Sequence, residues 1–403
     1  MTTSPHPREP AASNSVRVLH VVAIPATAYF LLRRLIADQQ RRGYQVEIAC
    51  NKGEYLDELI SLGLTVHVVR FSRRAITIEH FLALWDVYSL CRKRCFDVVH
   101  THTPIASFLG RIAAKAARVK TIIYHMRGSW WESNCLAKSL FTLAEWIAGR
   151  CTDHIFTINC SDASDCRALS ICSPESITCL HVGSAGLQMH SFPDDENRPR
   201  LRSASRSRLQ IAEDEVVIGF VGRLVPEKGL AELVGAFRSL VLDGLRVRLL
   251  IVGGSLSSER SKDFWEELMA GVDRESGLPE RILAVGLQKE VGPFIAAMDV
   301  LALPSYREGF GMTVAEAAAF AVPSVVTRTR GGLEAVVDGV TGLQIAIGSQ
   351  TELAGALRTL TLDSELRSSM GRAARARALE RFDQQQVTDR INGVYEQLLR
   401  RGR

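Results

Sequence analysis

Two glutamates eight residues apart, Glu308 and Glu316, enclose a Gly309-Phe310-Gly311 turn followed by Met312 and Thr313. An apolar run at 300–303 precedes them and a helical pattern at 314–320 follows, so the glycines fall on a loop that enters a helix. Glycine lets backbone N–H groups approach an anion, and a helix N-terminus favours negative charge. Helical side chains lean toward the N-terminus, so Glu316, in about the first turn, can reach a ribose diol at the loop, with Glu308 ahead of it, nearer a transferred sugar. Upstream, VVIGFVGRLVPEKG sets Gly222, Arg223 and Lys228 on one strand-to-helix loop. An arginine fork and a lysine point charge on a rigid loop neutralise a diphosphate without a metal ion. Each residue alone reads more readily as a turn residue or a solvated charge. Their setting on strand-to-helix loops at a sheet's carboxyl edge, with the glycine loop between the two glutamates, favours an activated-sugar site.

The elements that must position these groups follow from periodicity. Val- and Ile-rich runs at 16–24, 46–50, 65–69, 97–100, 121–124 and 154–158 alternate with helical stretches such as 81–94 and 107–117. A second series occupies 216–221, 247–252, 281–285, 300–303 and 324–327. Such alternation is the mark of βαβ units, and 403 residues exceed one ordinary hydrophobic core. We therefore expect two doubly wound domains, an N-terminal one at 16–190 and a C-terminal one at 211–383, with ligands held between the carboxyl ends of both sheets. Residues 1–15 read as a disordered polar tail, and 191–210 as an interdomain linker without hydrophobic periodicity. Residues 384–403 read as a helix packing back on the N-terminal domain.

Composition excludes other classes. Apolar residues make up 46% and charged residues 23%, a globular balance. The nine cysteines form no C-x-x-C pair, which suggests neither a disulfide framework nor a zinc site and points to reduced thiols in the cytosol. No uncharged apolar run reaches membrane-spanning length. The net charge of +5 arises in the N-terminal half, in scattered pairs (Arg33-Arg34, Arg41-Arg42, Arg73-Arg74) rather than one tract interleaved with aromatics. That pattern disfavours nucleic acid and fits peripheral contact with an anionic membrane, centred on the pairs and on 71–81. No Asp-x-Asp occurs, so no metal or other cofactor is expected.

The Glu-x7-Glu arrangement, with VGRLVPEKG upstream and TRTRGGLEAVVDGVTGL downstream, resembles the retaining glycosyltransferases of family 4, which have the GT-B fold. The segments VVHTHTPIASFLGRIAA, IIYHMRG and TDHIFTINCSD look like the bacterial exopolysaccharide and lipid-linked oligosaccharide members. The resemblance implies catalytic roles for His125, Glu308, Arg223 and Lys228. It implies donor contacts from Gly222, Gly309, Phe310, Gly311, Met312, Thr313 and Glu316, and an acceptor side near His100, His102, Thr103 and Pro25. A lone histidine is more often structural, and for His100 the two readings stand level. It further implies transfer of a hexosyl or N-acetylhexosaminyl group from a nucleotide-diphosphate sugar, UDP-linked by preference, to a saccharide or polyprenyl-diphosphate-linked acceptor at the cytoplasmic face of the membrane. Two departures bear on this: Ile24-Pro25-Ala26-Thr27 replaces the glycine-rich first loop, and Ala185-Gly186-Leu187-Gln188 replaces an Asn-Gly-Val-Asp segment. The rival readings are a nucleotide-sugar epimerase and a catalytically inactive nucleotide-sugar-binding protein.

Overall fold

A computed structural model describes residues 15–72, 78–128, 135–183, 186–255, 263–272 and 277–401. The expected tail at 1–15, apart from Ser15, lies outside the described residues, as do Arg73, Arg74 and Ala185. The chain forms two doubly wound α/β domains facing each other across a cleft. The first holds β1 (Arg17–Val21), β2 (Gln45–Cys50), β3 (Thr65–Val68), β4 (Val98–His102), β5 (Thr121–Met126), β6 (His154–Thr157) and β7 (Ile177–Cys179) in the order β3-β2-β1-β4-β5-β6-β7. The second holds β8 (Val216–Val221), β9 (Val247–Val252), β10 (Ile282–Ala284), β11 (Val300–Leu303), β12 (Ser324–Thr327) and β13 (Gly342–Ile345) in the order β10-β9-β8-β11-β12-β13. Every pairing between these strands is parallel. Helices cover both faces of such sheets, which is why central strands such as β8 and β11 read as unbroken apolar runs and are buried almost throughout.

Strands β7 and β13 escape the sequence reading because neither Ile177–Cys179 nor Gly342–Ile345 is a Val- and Ile-rich run. The segment 191–210 also differs from its expectation, since helix Asn197–Arg208 occupies most of it. Its buried face is made of Ser205 and Arg206 instead of apolar residues, so no hydrophobic stripe announces it. Arg206 is fully buried, donating to Asp299 Oδ2 (3.2 Å) and to the carbonyls of Ala212 (2.5 Å) and Glu215 (2.6 Å). Asp299 in turn accepts from Val217 N–H at 2.8 Å, which ties the helix to the amino end of β8 in the middle of the second sheet.

The chain crosses between domains twice, and the two crossings pair at one point. Leu187 N–H donates to Phe382 O (2.7 Å) and Gln384 N–H to Leu187 O (2.7 Å). Gly186, at φ +82°, is forced to be glycine there: a Cβ would stand 2.8 Å from Phe382 O. Helix Gln384–Arg401 then lies on the first domain, burying Val387, Ile391 and Tyr395. Its Asn392 donates to Asp38 Oδ2 at 2.8 Å, and Arg42 pairs with Asp389.

Candidate active site

A cleft of about 480 Å³ separates the carboxyl ends of the two sheets. The second domain lines it with Arg223, Glu227, Lys228, Arg307, Glu308, Gly309 and Arg330, the first with Thr27, Thr103, Arg127, Gly128, Asn159 and Asp162 among others. Arg223 and Lys228 follow β8, and Lys228 closes a single 3₁₀ turn, Pro226–Lys228. The next residue, Gly229, takes φ +70° under Pro304 O, so this loop is pinned to the one leading to Glu308. Lys228 Nζ donates to Glu308 Oε2 at 2.5 Å, which places the two expected donor loops in contact.

The helix after the glycine turn runs Met312–Ala319, beginning two residues before the expected 314 because Gly311 caps it in the left-handed region (φ +81°). Glu316 is therefore one turn inside the helix and half-buried. A carboxylate at a helix N-terminus would be held low by the dipole. Burial instead pushes Glu316 up to about 7, opposed by the Arg34 charge reaching over from the first domain. Phe310 and Gly311 are buried, and Gly222, Met312 and Thr313 are half-buried. The Phe310 side chain is core, edge-on to Phe382 at 5.3 Å, and leaves only its backbone for a ligand.

The two domains touch directly at Gly309. Asn159 Nδ2 donates to Gly309 O (3.0 Å), and a Cβ on Gly309 would stand 3.1 Å from Arg127 O. Arg330 pairs across the same seam with Asp162 (3.1 Å) and Asp165 (2.5 Å).

The acceptor-side expectations fare unevenly. Thr103 lines the cleft at φ +63°, its Oγ1 accepting from Ala23 N–H (3.1 Å) and donating to His102 O (2.5 Å). Pro25 is buried at the first position of helix Pro25–Thr27, where its missing N–H costs nothing, and the cleft wall there is Thr27. His100 and His102 do not line the cleft, contrary to expectation, because both are fully buried. Parallel register sets His20 beside His100 and His102 beside His125, so these rings share one face of the first sheet. His20 Nδ1 lies 3.0 Å from His102 Nε2, and Tyr395 of the terminal helix is hydrogen-bonded to His100 Nδ1 at 2.7 Å. His100 thus anchors the returning helix. Burial holds all four imidazoles neutral: His20 falls to about 4, and His100, His102 and His125 lie well below their ordinary value.

His125 is fully buried too and sits behind Arg127, whose Nη2 lies 3.5 Å from its Nδ1, while His125 Nε2 meets no hydrogen-bond partner. Arg127 itself is the group the sequence reading overlooked. Burial pushes it down to about 9, and among the described residues no carboxylate pairs with it. The available signal was its place, one residue beyond the carboxyl end of β5.

Three cationic side chains, Arg127, Arg223 and Lys228, thus line one cleft with Glu308. The description "Glycosyl transferase 4-like domain" matches residues 5–183, and "Glycosyl transferases group 1" matches residues 202–377. The chain belongs to the family 4-like glycosyltransferases of the GT-B fold. The glycosyltransferase is 28% identical over 386 residues to the capsular polysaccharide biosynthesis glycosyltransferase CapM of Staphylococcus aureus, covering 95% of this chain and 98% of that one. It is 23% identical over 362 residues to an Escherichia coli UDP-Gal:α-D-GlcNAc-diphosphoundecaprenol α-1,3-galactosyltransferase, covering 87% and 89%. Among solved structures, Anabaena HepE in complex with UDP superposes with a TM-score of 0.78 at 21% identity, over 95% of this chain and all of that one. Of this glycosyltransferase's two departures, the first forms the start of helix Pro25–Thr27, and the second supplies the Gly186-Leu187 crossing.

The two N-terminal arginine pairs among the described residues, Arg33-Arg34 and Arg41-Arg42, make contacts within the fold. Arg34 faces Glu316, Arg33 stacks on Tyr29, and Arg41 and Arg42 both pair with Asp38. The surface that stands out is apolar: Ile78, Phe81 and Trp85 on helix Ile78–Arg94 are 77%, 73% and 64% exposed. Leu140, Leu143 and Trp146 on helix Cys135–Gly149 are exposed as well, and both helices flank Pro104–Ala116. No helix among the described residues is long and apolar enough to cross a membrane.

Proposed function

We propose that this glycosyltransferase is a retaining enzyme that moves a hexosyl or N-acetylhexosaminyl group from a UDP-linked sugar to a saccharide or polyprenyl-diphosphate-linked acceptor in cell-surface polysaccharide synthesis. The observation that carries the reading is the cleft itself, in which Arg127, Arg223 and Lys228 converge beside Glu308 and the Gly309-Phe310-Gly311 loop. The names of the relatives support the pathway, and the UDP in the HepE structure supports the donor base. Arg223, Lys228 and the amino end of helix Met312–Ala319 would stabilise charge growing on the diphosphate as the glycosidic bond breaks. The leaving oxygen would take the acceptor proton on the face of attack. Glu308 would meet the donor sugar, Glu316 the ribose diol, and neutral His125 would exchange a hydrogen bond with the sugar once Arg127 swings aside. The test is incubation with a panel of nucleotide sugars and a saccharide-diphosphate-polyprenol acceptor, followed by NMR of the new linkage. An inverted anomeric centre would sink the retaining mechanism. Release of a free epimer without acceptor would favour an epimerase, and donor binding with neither transfer nor hydrolysis an inactive binding protein.

On this reading Arg127, Arg223 and Lys228 supply the cationic charge that a metal would bring to the diphosphate, so transfer should run at an unchanged rate without magnesium or manganese. Complete loss of turnover in chelator, restored by magnesium, would refute this.

The exposed aromatic stripe is the proposed contact with the cytoplasmic face of the membrane, where lipid-linked acceptors are held. Sedimentation with anionic vesicles should fall about 10-fold or more in Phe81→Ser/Trp85→Ser, whose circular dichroism should not change. Equal sedimentation of variant and wild type would place the contact elsewhere.

A further inference from the structure

Away from the cleft lining, four side chains from three stretches of sequence turn their donor atoms toward one point. Cys160 opens helix Cys160–Ala168, Cys179 ends β7, His181 follows two residues later, and Glu334 comes from helix Arg330–Ala335 of the second domain. The two sulfurs, His181 Nδ1 and a Glu334 oxygen all lie within 4.8 Å of one another. We propose that Cys160, Cys179, His181 and Glu334 form a zinc site that bridges the two domains.

The geometry fits a tetrahedron. Cys160 Sγ lies 3.7 Å from Cys179 Sγ and 3.5 Å from His181 Nδ1. Zinc with Zn–S of about 2.3 Å and Zn–N of about 2.0–2.1 Å sets those edges at roughly 3.8 and 3.6 Å. A third edge, His181 Nδ1 to Glu334 Oε1, is 2.7 Å because the two are hydrogen-bonded, and it must widen by roughly 0.6 Å to admit the ion. Two thiols, an imidazole and a carboxylate select zinc over magnesium or calcium, which require oxygen donors. The carboxylate is already oriented: Glu334 Oε2 accepts from Cys160 N–H at 2.9 Å, which leaves Oε1 for the cluster. His181 holds its place at φ +59°, a left-handed backbone that a non-glycine residue seldom adopts. Binding replaces two thiol protons, which leave to solvent, with the metal.

Four protein ligands leave no open position, so the ion is structural. Three come from the first domain and Glu334 from the second, beside the Asn159–Gly309 and Arg330–Asp162 contacts. A bound zinc therefore ties the domains together in the arrangement in which Gly309 meets Asn159.

The test uses the full chain, reduced with a non-thiol reductant and freed of metal. Cobalt is the probe, read by its visible bands and its thiolate charge-transfer absorption, followed by displacement with zinc and metal analysis of the gel-filtered protein. One zinc per chain and a tetrahedral cobalt spectrum with two-thiolate intensity are expected. Cys160→Ser and Cys179→Ser should each lose about half the charge-transfer intensity and weaken zinc at least roughly 100-fold. Glu334→Gln should keep that intensity while weakening zinc about 10-fold, which separates loss of one ligand from loss of folding. An octahedral cobalt spectrum, or a spectrum unchanged in Cys160→Ser, would overturn the proposal.

Discussion

Replacing Lys228 by alanine is expected to lower kcat by about 10²- to 10³-fold, and Arg223→Ala by a similar factor. The reason is differential: charge on the diphosphate grows as the glycosidic bond breaks, so a cation there stabilises the transition state more than the bound donor. KM should move far less than kcat in Arg223→Ala. Lys228→Ala should differ, because its ammonium also compensates Glu308 at 2.5 Å, and both side chains are mostly buried. Without it, the Glu308 carboxylate would face the incoming diphosphate as an uncompensated negative charge, and KM should rise as well. Adding Glu308→Gln should then restore the KM of Lys228→Ala toward wild type without restoring kcat. Steady-state kinetics on the three variants decide the matter. A fall in kcat under 10-fold in both single variants would remove the cationic grip, and an equal KM in single and double variants would remove the shared electrostatics.

Glu316→Gln should bind donor about 100-fold more weakly and yet fold more stably near neutrality. Its carboxyl is raised to about 7 in the folded protein, with burial outweighing the attraction of Arg34. The unfolded chain releases that proton near pH 4.5 and the folded chain holds it until about 7, so the unfolded state binds fewer protons between those values. Wild-type stability is therefore lost as pH rises from 4.5 to 7, and the deficit is constant above 7. Glutamine does not titrate, so the variant should gain over wild type across that window, by roughly 1–3 kcal/mol at pH 8. The buried histidines titrate alike in both proteins and cancel in the difference. The lost affinity has a separate origin: an ionised carboxylate accepts both hydroxyls of a ribose diol through charge-assisted hydrogen bonds, and an amide does not. Donor binding should therefore draw Glu316 into its ionised form and weaken as pH falls below 7. Urea titrations at pH 4.5 and pH 8, with isothermal titration of UDP, would check both halves. A variant no more stable than wild type at pH 8 would mean that burial does not raise the Glu316 carboxyl in the folded protein.

Periodicity and local loop chemistry carried much of this protein in the sequence itself. Alternating runs such as VVIGFV and the helical stretches around them declare two doubly wound domains, because a parallel sheet buried on both faces must be made of such runs. The glycine turn between Glu308 and Glu316 and the Arg223–Lys228 loop were legible for the same local reason, as strand-to-helix loops at the carboxyl ends of strands. What depends on partners distant in the chain was not. Arg206 hides a helix because an arginine is buried only where Asp299 and two carbonyls wait for it. His100 and His125 differ little as sequence. Register and the returning Tyr395 decide that one anchors a helix, and the position of Arg127 decides that the other keeps a ring nitrogen without a partner. Cys160, Cys179, His181 and Glu334 have no metal-binding spacing along the chain. Only the packing of helix Cys160–Ala168 against helix Arg330–Ala335 of the second domain brings their donor atoms within 4.8 Å, since side-chain proximity is a property of the packed structure and not of sequence distance.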